Sequence, residues 1–326
     1  MRPFAFAPPH EQEEISLKLA WTAGLAATAS LIAMAAHAQG QPDFSKVQIK
    51  TTPLGNNLYM LEGQGGNITV ACGQDGAIQV DGEFLPLHDK IKAAVDRACG
   101  GKPVKYLVNT HFHGDHTGGN AGFAKDGVTL VAHRNLALRL EHGSTNGLSG
   151  AKTAPADKAA IPTKTYTTEG VQLMVTGQTA FVNHPASAHT DTDSYVYFPA
   201  ANVISTGDVV STGNRYVTID YANGGSINGI ISTVETYLRL GNDQTKYVPG
   251  HGELATKADI QAYHDLLVRV RDAVQNEIRS GKTEAQAISD KPLAQIGAQL
   301  HTNQQADDNM VKMVYRSLKG VKANKA

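Results

Sequence analysis

The stretch THFHGDHTGGN (110–120) places His111, His113, Asp115 and His116 within six positions. Neutral imidazole and carboxylate are the usual ligands of zinc and similar borderline metals, and an imidazole is costly to bury unpaired. A polar surface turn has no need of four such groups at this density, so the cluster reads as part of a metal site. Three further residues of the same chemistry stand near the ends of apolar, strand-like runs. His189 follows QLMVTGQTAFVNHP (172–185), Asp208 lies in DSYVYFPAANVISTGDVV (193–210), and His251 lies in TKYVPGHG (245–252).

The elements around these residues are legible in outline. LGNNLYMLEG (54–63) and GNITVACGQDGAIQVDG (66–82) alternate β-branched and apolar residues between Gly and Asn turn signals, and predict a meander. Helical spacing of Leu87, Ile91, Ala94 and Val95 ends at Gly100-Gly101, and the buried strand VKYLVN (104–109) follows. The histidine cluster therefore falls in a loop beyond a strand end, where α/β folds place ligand sites. A second strand-helix unit (127–143) precedes a Gly/Ala/Pro-rich stretch (143–166), read as a long surface loop bordering the site. Beyond Ala255 the pattern is helical, with Ile260, Leu267, Val270 and Val274 on one face and NMVKMVYRSLKG (309–320) closing the pattern. Gly114, Gly118, Gly119, Gly250 and Gly252 flank the ligand-type residues, where a tight, partly left-handed backbone is expected.

With 326 residues, 41% hydrophobic and 18% charged, the chain has the composition of a soluble globular protein large enough for a substantial core. Its 29 basic and 30 acidic side chains nearly cancel, which leaves no field to attract a phosphate backbone. Nucleic acid is not an expected partner, and a small molecule is. LAWTAGLAATASLIAMAAHAQG (19–40) is apolar, rich in small residues, and ends in Ala36-His37-Ala38, the small-x-small pattern of signal-peptidase sites. This predicts a signal peptide over 1–38, cleavage after Ala38, and a periplasmic or secreted chain without stable membrane association. The leader before it is acidic rather than basic, with Lys18 supplying the positive end. Export permits Cys72 and Cys99 to pair without requiring it, so a disulfide and two buried thiols remain equal alternatives.

Taken in order, HFHGDH, SAHTDTD, STGDVV and PGHG resemble the ligand pattern of the metallo-β-lactamase superfamily from about Leu54 to Glu253. The resemblance implies a four-layer αββα sandwich with two zinc ions at one edge, iron or manganese being alternatives. It assigns His111, His113 and His189 to the first ion, Asp115, His116 and His251 to the second, and Asp208 to the bridge. Hydrolysis by metal-bound hydroxide is the implied chemistry, with Asp115 also serving as the catalytic proton carrier. The implied organisation is a linker or first strand over 39–53, the metallo-β-lactamase fold over 54–283, and a helical extension over 284–326.

Aspartate at 208 differs from the Cys-ligand lactamases and matches the glyoxalase, lactonase and phosphodiesterase branches of the superfamily. Where the Cys-ligand lactamases bind the antibiotic carboxylate with lysine, this chain has Ser211, with Arg215 as a substitute cation. Tyr216 and Tyr221 are weaker candidates for a hydroxyl facing the substrate carbonyl. Glutamate in place of His113 would have indicated a flavodiiron protein. The expected function is hydrolysis of a β-lactam, lactone or ester. A glyoxalase-like thioester hydrolase and a phosphodiesterase are the alternatives, and a non-catalytic zinc-binding protein is the alternative of another class.

Overall fold

The protein was analysed as a computed structural model describing residues 43–213 and 215–321. The predicted signal peptide lies outside the described residues. Of the N-terminal unit, Met1–Lys46, the described part is one 3-10 turn, Phe44–Lys46.

From Val47 onward the chain forms a single unit built on two sheets. In the first, strands β1 (Lys50–Gly55), β2 (Leu58–Glu62), β3 (Ile68–Cys72) and β4 (Ala77–Val80) form the predicted antiparallel meander. β5 (Val104–Val108), β6 (Thr129–His133) and β9 (Lys164–Tyr166) then add in parallel. The second sheet runs β10 (Val171–Val175), β11 (Gln178–Asn183), β12 (Tyr195–Phe198) and β13 (Val203–Ser211) as an antiparallel meander, with β14 (Lys246–His251) parallel to β13 at its edge. Every residue of β3 and β4 is buried, as expected for strands covered on both faces.

Leu58, Ile78, Val108 and Val131 of the first sheet interdigitate with Leu173, Val182, Phe198 and Val248 of the second to form the core between them. Helix α1 (His88–Ala98) buries Ile91, Ala94 and Val95, the apolar face its spacing predicts, and the chain leaves it through left-handed Gly100 and Gly101. Short helices α2 (Gly114–Thr117) and α3 (Asn120–Lys125) and helix α4 (Arg134–His142) complete that side of the molecule.

The other sheet packs on α5 (Ile227–Leu240) and α6 (Lys257–Arg279). Helix α6 starts at a Thr256/Asp259 capping box and buries the predicted Ile260, Leu267, Val270 and Val274. Helices α7 (Glu284–Ser289), α8 (Ala294–Leu300) and α9 (Gln304–Leu318) share this core through Ala287, Ile296, Met310 and Val314. The layers are thus α, β, β, α, as expected.

One expectation is revised and one open alternative is decided. The stretch 143–166 is not a structureless loop: it contains the hairpin β7–β8 (Ser144–Thr145 and Lys152–Thr153) and ends in β9, which extends the first sheet. Cys72 and Cys99, which export permits but does not require to pair, form a disulfide that ties the end of β3 to the end of α1.

Candidate metal centre

Parallel strands in one sheet end on the same side, so β4, β5 and β6 deliver their following residues to a common edge. His111 and His113 lie just beyond β5, and Asp115 and His116 ride on α2. From the second sheet come His189, between β11 and β12, and His251, the last residue of β14. Asp208 lies within β13, at a register shift whose turning residue is Gly207 with φ +53°. Such a bulge re-aims a strand side chain, here toward the cluster.

His111, His113, His189 and Asp208 converge in one group, and Asp115, His116 and His251 in another. His113 Nδ1 lies 3.1 Å from both His111 Nε2 and His189 Nε2. Nitrogens bound at about 2.0 Å at tetrahedral corners would be roughly 3.3 Å apart, so this spacing suits three imidazoles sharing one ion. Asp208 divides its oxygens between the groups. Oδ2 is 3.8 Å from both His111 Nε2 and His189 Nε2, while Oδ1 is 3.2 Å from His116 Nε2 and 3.5 Å from His251 Nε2. Asp115 Oδ2 lies 3.0 Å from His251 Nε2 and 3.7 Å from His116 Nε2.

His116 Nε2 and Asp208 Oδ1 are buried and, despite their proximity, lack a geometrically acceptable hydrogen bond. Leaving such atoms unsatisfied costs on the order of 1–3 kcal/mol each, and a cation between them would satisfy both. The residues therefore fit a metal ion.

The electrostatics divide: against burial, Asp208 and Asp81 hold His116 well above the ordinary imidazole range and the Asp115 hydrogen bond raises His251, while three other groups shift toward the forms a ligand needs. Burial pushes His111 well below the ordinary imidazole range, and neighbouring His116 adds to the effect, which favours the neutral form a ligand needs. For Asp208, burial works toward the neutral acid, but His116 and His111 outweigh it and hold the carboxyl well below its usual range. Burial likewise opposes the charge on Asp115, and its hydrogen bond to His251 prevails.

Partners outside the cluster fix its tautomers. His189 Nδ1 donates to the Thr218 carbonyl at 2.7 Å, which leaves Nε2 as the free lone pair. His113 Nε2 meets Asp220 Oδ2 at 3.0 Å, which turns Nδ1 toward the group. Asp81 is buried in a left-handed conformation, φ +65°, and accepts from Thr110 N (2.8 Å), Thr110 Oγ1 (2.7 Å) and His116 Nδ1 (2.8 Å). Thr110 Oγ1 is also 3.1 Å from His111 Nδ1, so one aspartate braces an imidazole in each group.

Sequence reasoning missed both Asp81 and Asp220. The signal for Asp81 was an acidic residue between the apolar run AIQV and Gly82, interpretable only once β4 and β5 are known to be neighbours. Asp81→Ala should weaken metal retention about 10- to 100-fold, measured by chelator competition. Unchanged retention would show that Asp81 does not brace the cluster.

Among the flanking glycines, only Gly252 is left-handed, with φ +96°. Gly250 and Gly66 serve instead by close approach: a β-carbon at the former would overlap Asp208 Oδ1, and at the latter the His116 ring. Thr190 and Asp193, which adjoin His189, bond to each other at 2.6 Å. Histidines 133 and 184 stack together, 3.6 Å between ring centres, outside either group.

The four substrate candidates do not converge. Ser211 and Arg215 line a cavity of about 670 Å³ between the ends of β13 and β14 and helix α6, and none of the seven cluster residues lines it. The Tyr216 hydroxyl donates to Asp307 Oδ1 at 3.0 Å. That of Tyr221 donates to the Gly147 carbonyl and accepts from Arg316 Nη1. A small pocket of about 90 Å³ does reach the cluster, lined by His113, Asp220, Ser144, Asn146 and Thr153. The 143–166 stretch thus borders the site through its hairpin.

An αββα sandwich with His/Asp groups at the strand ends defines a class of metallohydrolases. Residues 51–251 match the metallo-beta-lactamase superfamily, so the chain belongs to that superfamily. It is 27% identical over 211 residues to the 2,4-dinitroanisole O-demethylase subunit alpha of Nocardioides sp. (strain JS1661), covering 64% of this chain and 59% of that protein. To the hydroxyacylglutathione hydrolase of Polaromonas sp. (strain JS666 / ATCC BAA-500) it is 28% identical over 216 residues, 63% of this chain and 72% of that protein.

The metallo-beta-lactamase from Pontibacter korlensis superposes with a TM-score of 0.55 at 18% identity, covering 68% of this chain and 99% of that one. The sec-alkylsulfatase Pisa1 from Pseudomonas sp. gives 0.63 at 14% identity, covering 85% and 51%. At these identities the likeness to solved structures is one of fold.

Proposed function

We propose that the protein is a dinuclear zinc-dependent hydrolase that opens a small carbonyl substrate, a β-lactam, lactone or ester. The observation that carries this reading is the Asp208 carboxylate, with one oxygen toward each group of imidazoles. His111, His113 and His189 would hold one ion, Asp115, His116 and His251 the other, and Asp208 both; iron or manganese suits the same donors. Bound by these residues, such ions would supply Lewis acidity for the carbonyl and a water nucleophilic near neutral pH.

The chain's own residues supply the rest. Asp220 and the Thr218 carbonyl lock the first-ion imidazoles in orientation, and Asp81 spans both groups. Asp115 is the partly exposed carboxylate of the second group, placed to take a proton and return it to the leaving atom. The near-neutral chain does not favour a polyanionic substrate. A thioester substrate is the second reading, favoured by the 28% identity to a hydroxyacylglutathione hydrolase. Export to the periplasm or beyond is part of the proposal, and the Cys72–Cys99 disulfide, a bond typical of oxidising compartments, supports it.

Residues 39–326 are expected to retain about two ions per chain and, assayed against β-lactams, acyl-homoserine lactones, esters, thioesters and phosphodiesters, to hydrolyse carbonyl substrates among them. Turnover confined to phosphodiesters would overturn the carbonyl reading, and turnover confined to thioesters would select the second. Recovery of the mature protein with Met1 retained in the cytosol would overturn export.

A further inference from the structure

His251 sits at a mechanically weak place. It ends β14, the edge strand of its sheet, and β13 beside it breaks register between Gly207 and Ser211 to present Asp208. The continuous ladder that holds an interior strand is therefore interrupted where the second group needs its imidazole. The backbone carbonyls around His251 must find other donors.

Three of the four from Pro249 to Gly252 find one residue. Asn67 Nδ2 donates to the carbonyls of Pro249 at 3.0 Å and Gly252 at 2.9 Å, and its backbone N–H donates to Gly250 at 2.8 Å. The His251 carbonyl itself accepts from Thr212 N at 3.1 Å. Asn67 is buried and precedes β3 in the other sheet, 182 residues from Pro249.

On its other side the same segment grips the rest of the group. Gly66 N donates to the Asp115 carbonyl at 3.0 Å, and Gly66 packs so closely on the His116 ring that a β-carbon would overlap it. Upstream, the Glu83 carboxylate accepts from Gln64 N at 3.0 Å and Gly65 N at 3.1 Å, which pins the strap at its start. The first group has no comparable contact with this segment: His189 and His113 are braced by Thr218 and Asp220.

We propose that Asn67 is a positioning residue for the second ion, splicing the turn that carries His251 to the loop that carries Asp115 and His116; this rests on the dinuclear reading above. Its carboxamide matters as a double donor. An aspartate of the same shape would present an acceptor to the Pro249 and Gly252 carbonyls and push the His251 turn away.

The test is stepwise metal titration of the mature chain with zinc or cobalt against a competing chelator, together with elemental analysis. Wild type is expected to bind two ions. Asn67→Asp is expected to bind the first with unchanged affinity and the second 10- to 100-fold more weakly. General loosening of the fold would weaken both steps equally, and that result overturns the proposal. If the carboxylate at position 67 prevents folding, Asn67→Ser, which retains one short donor, is read in the same way. Two ions with unchanged affinities in the variant would sink the role of Asn67 while leaving the dinuclear reading intact. A wild type that takes up only one ion would sink both.

Discussion

Replacing Asp208 with alanine should lower kcat/KM by about 10³-fold or more, roughly 4 kcal/mol of transition-state stabilisation. No other carboxylate of the two groups reaches both sets of imidazoles: Asp115 lies with His116 and His251, whereas Asp208 faces those two with Oδ1 and His111 and His189 with Oδ2. Removing it takes a shared negative charge from among imidazoles whose other partners remain in place. Metal content should fall with activity, which separates loss of the centre from a defect in substrate binding. A variant that keeps two ions and stays within tenfold of wild-type kcat/KM would show that the bridge is dispensable. His116→Ala should also lose turnover, but it leaves the first group of imidazoles complete.

The second large effect concerns stability. The Cys72–Cys99 disulfide closes a loop with a sequence separation of 27, and loop-closure entropy for that length corresponds to about 3.5 kcal/mol. The double substitution Cys72→Ser, Cys99→Ser should therefore lower the melting temperature by roughly 7–14 °C at a few degrees per kcal/mol. The closed loop contains β4, Asp81 and Glu83, so loosening it frees the residues that brace His116 and the Gly63–Gly66 segment. Urea denaturation with and without reductant gives the number directly. A difference below about 0.5 kcal/mol would mean that the bond adds nothing to the folded state beyond local packing.

Much of the architecture was legible because its signals are local. The face of α6 could be read from Ile260, Leu267, Val270 and Val274, since helical spacing depends only on neighbours a few positions away. The meander of β1–β4 followed from alternation and turn residues for the same reason. The stretch 143–166 misled because β9 is only three residues long and β7 and β8 two each. Strands that short carry no period of their own; they exist because β6 offers an unpaired edge and the hairpin packs beside the cluster.

The sequence by itself determined which side chains have metal chemistry, because imidazole and carboxylate keep their donor character wherever the fold puts them, and their positions at strand ends send them to one edge. Tertiary structure alone decided how that chemistry is held. Asp81 lies 35 residues from His116, Asp220 107 from His113, and Asn67 182 from Pro249. Nothing local distinguishes an aspartate that braces a histidine from one that is solvated, or an asparagine that ends a turn from one that clamps a distant loop. Their roles come from strand order and sheet packing, which choose hydrogen-bond partners by proximity in space. The same reason committed the Tyr216 and Tyr221 hydroxyls to Asp307, Gly147 and Arg316: helix α9 and the β7–β8 hairpin reached them first.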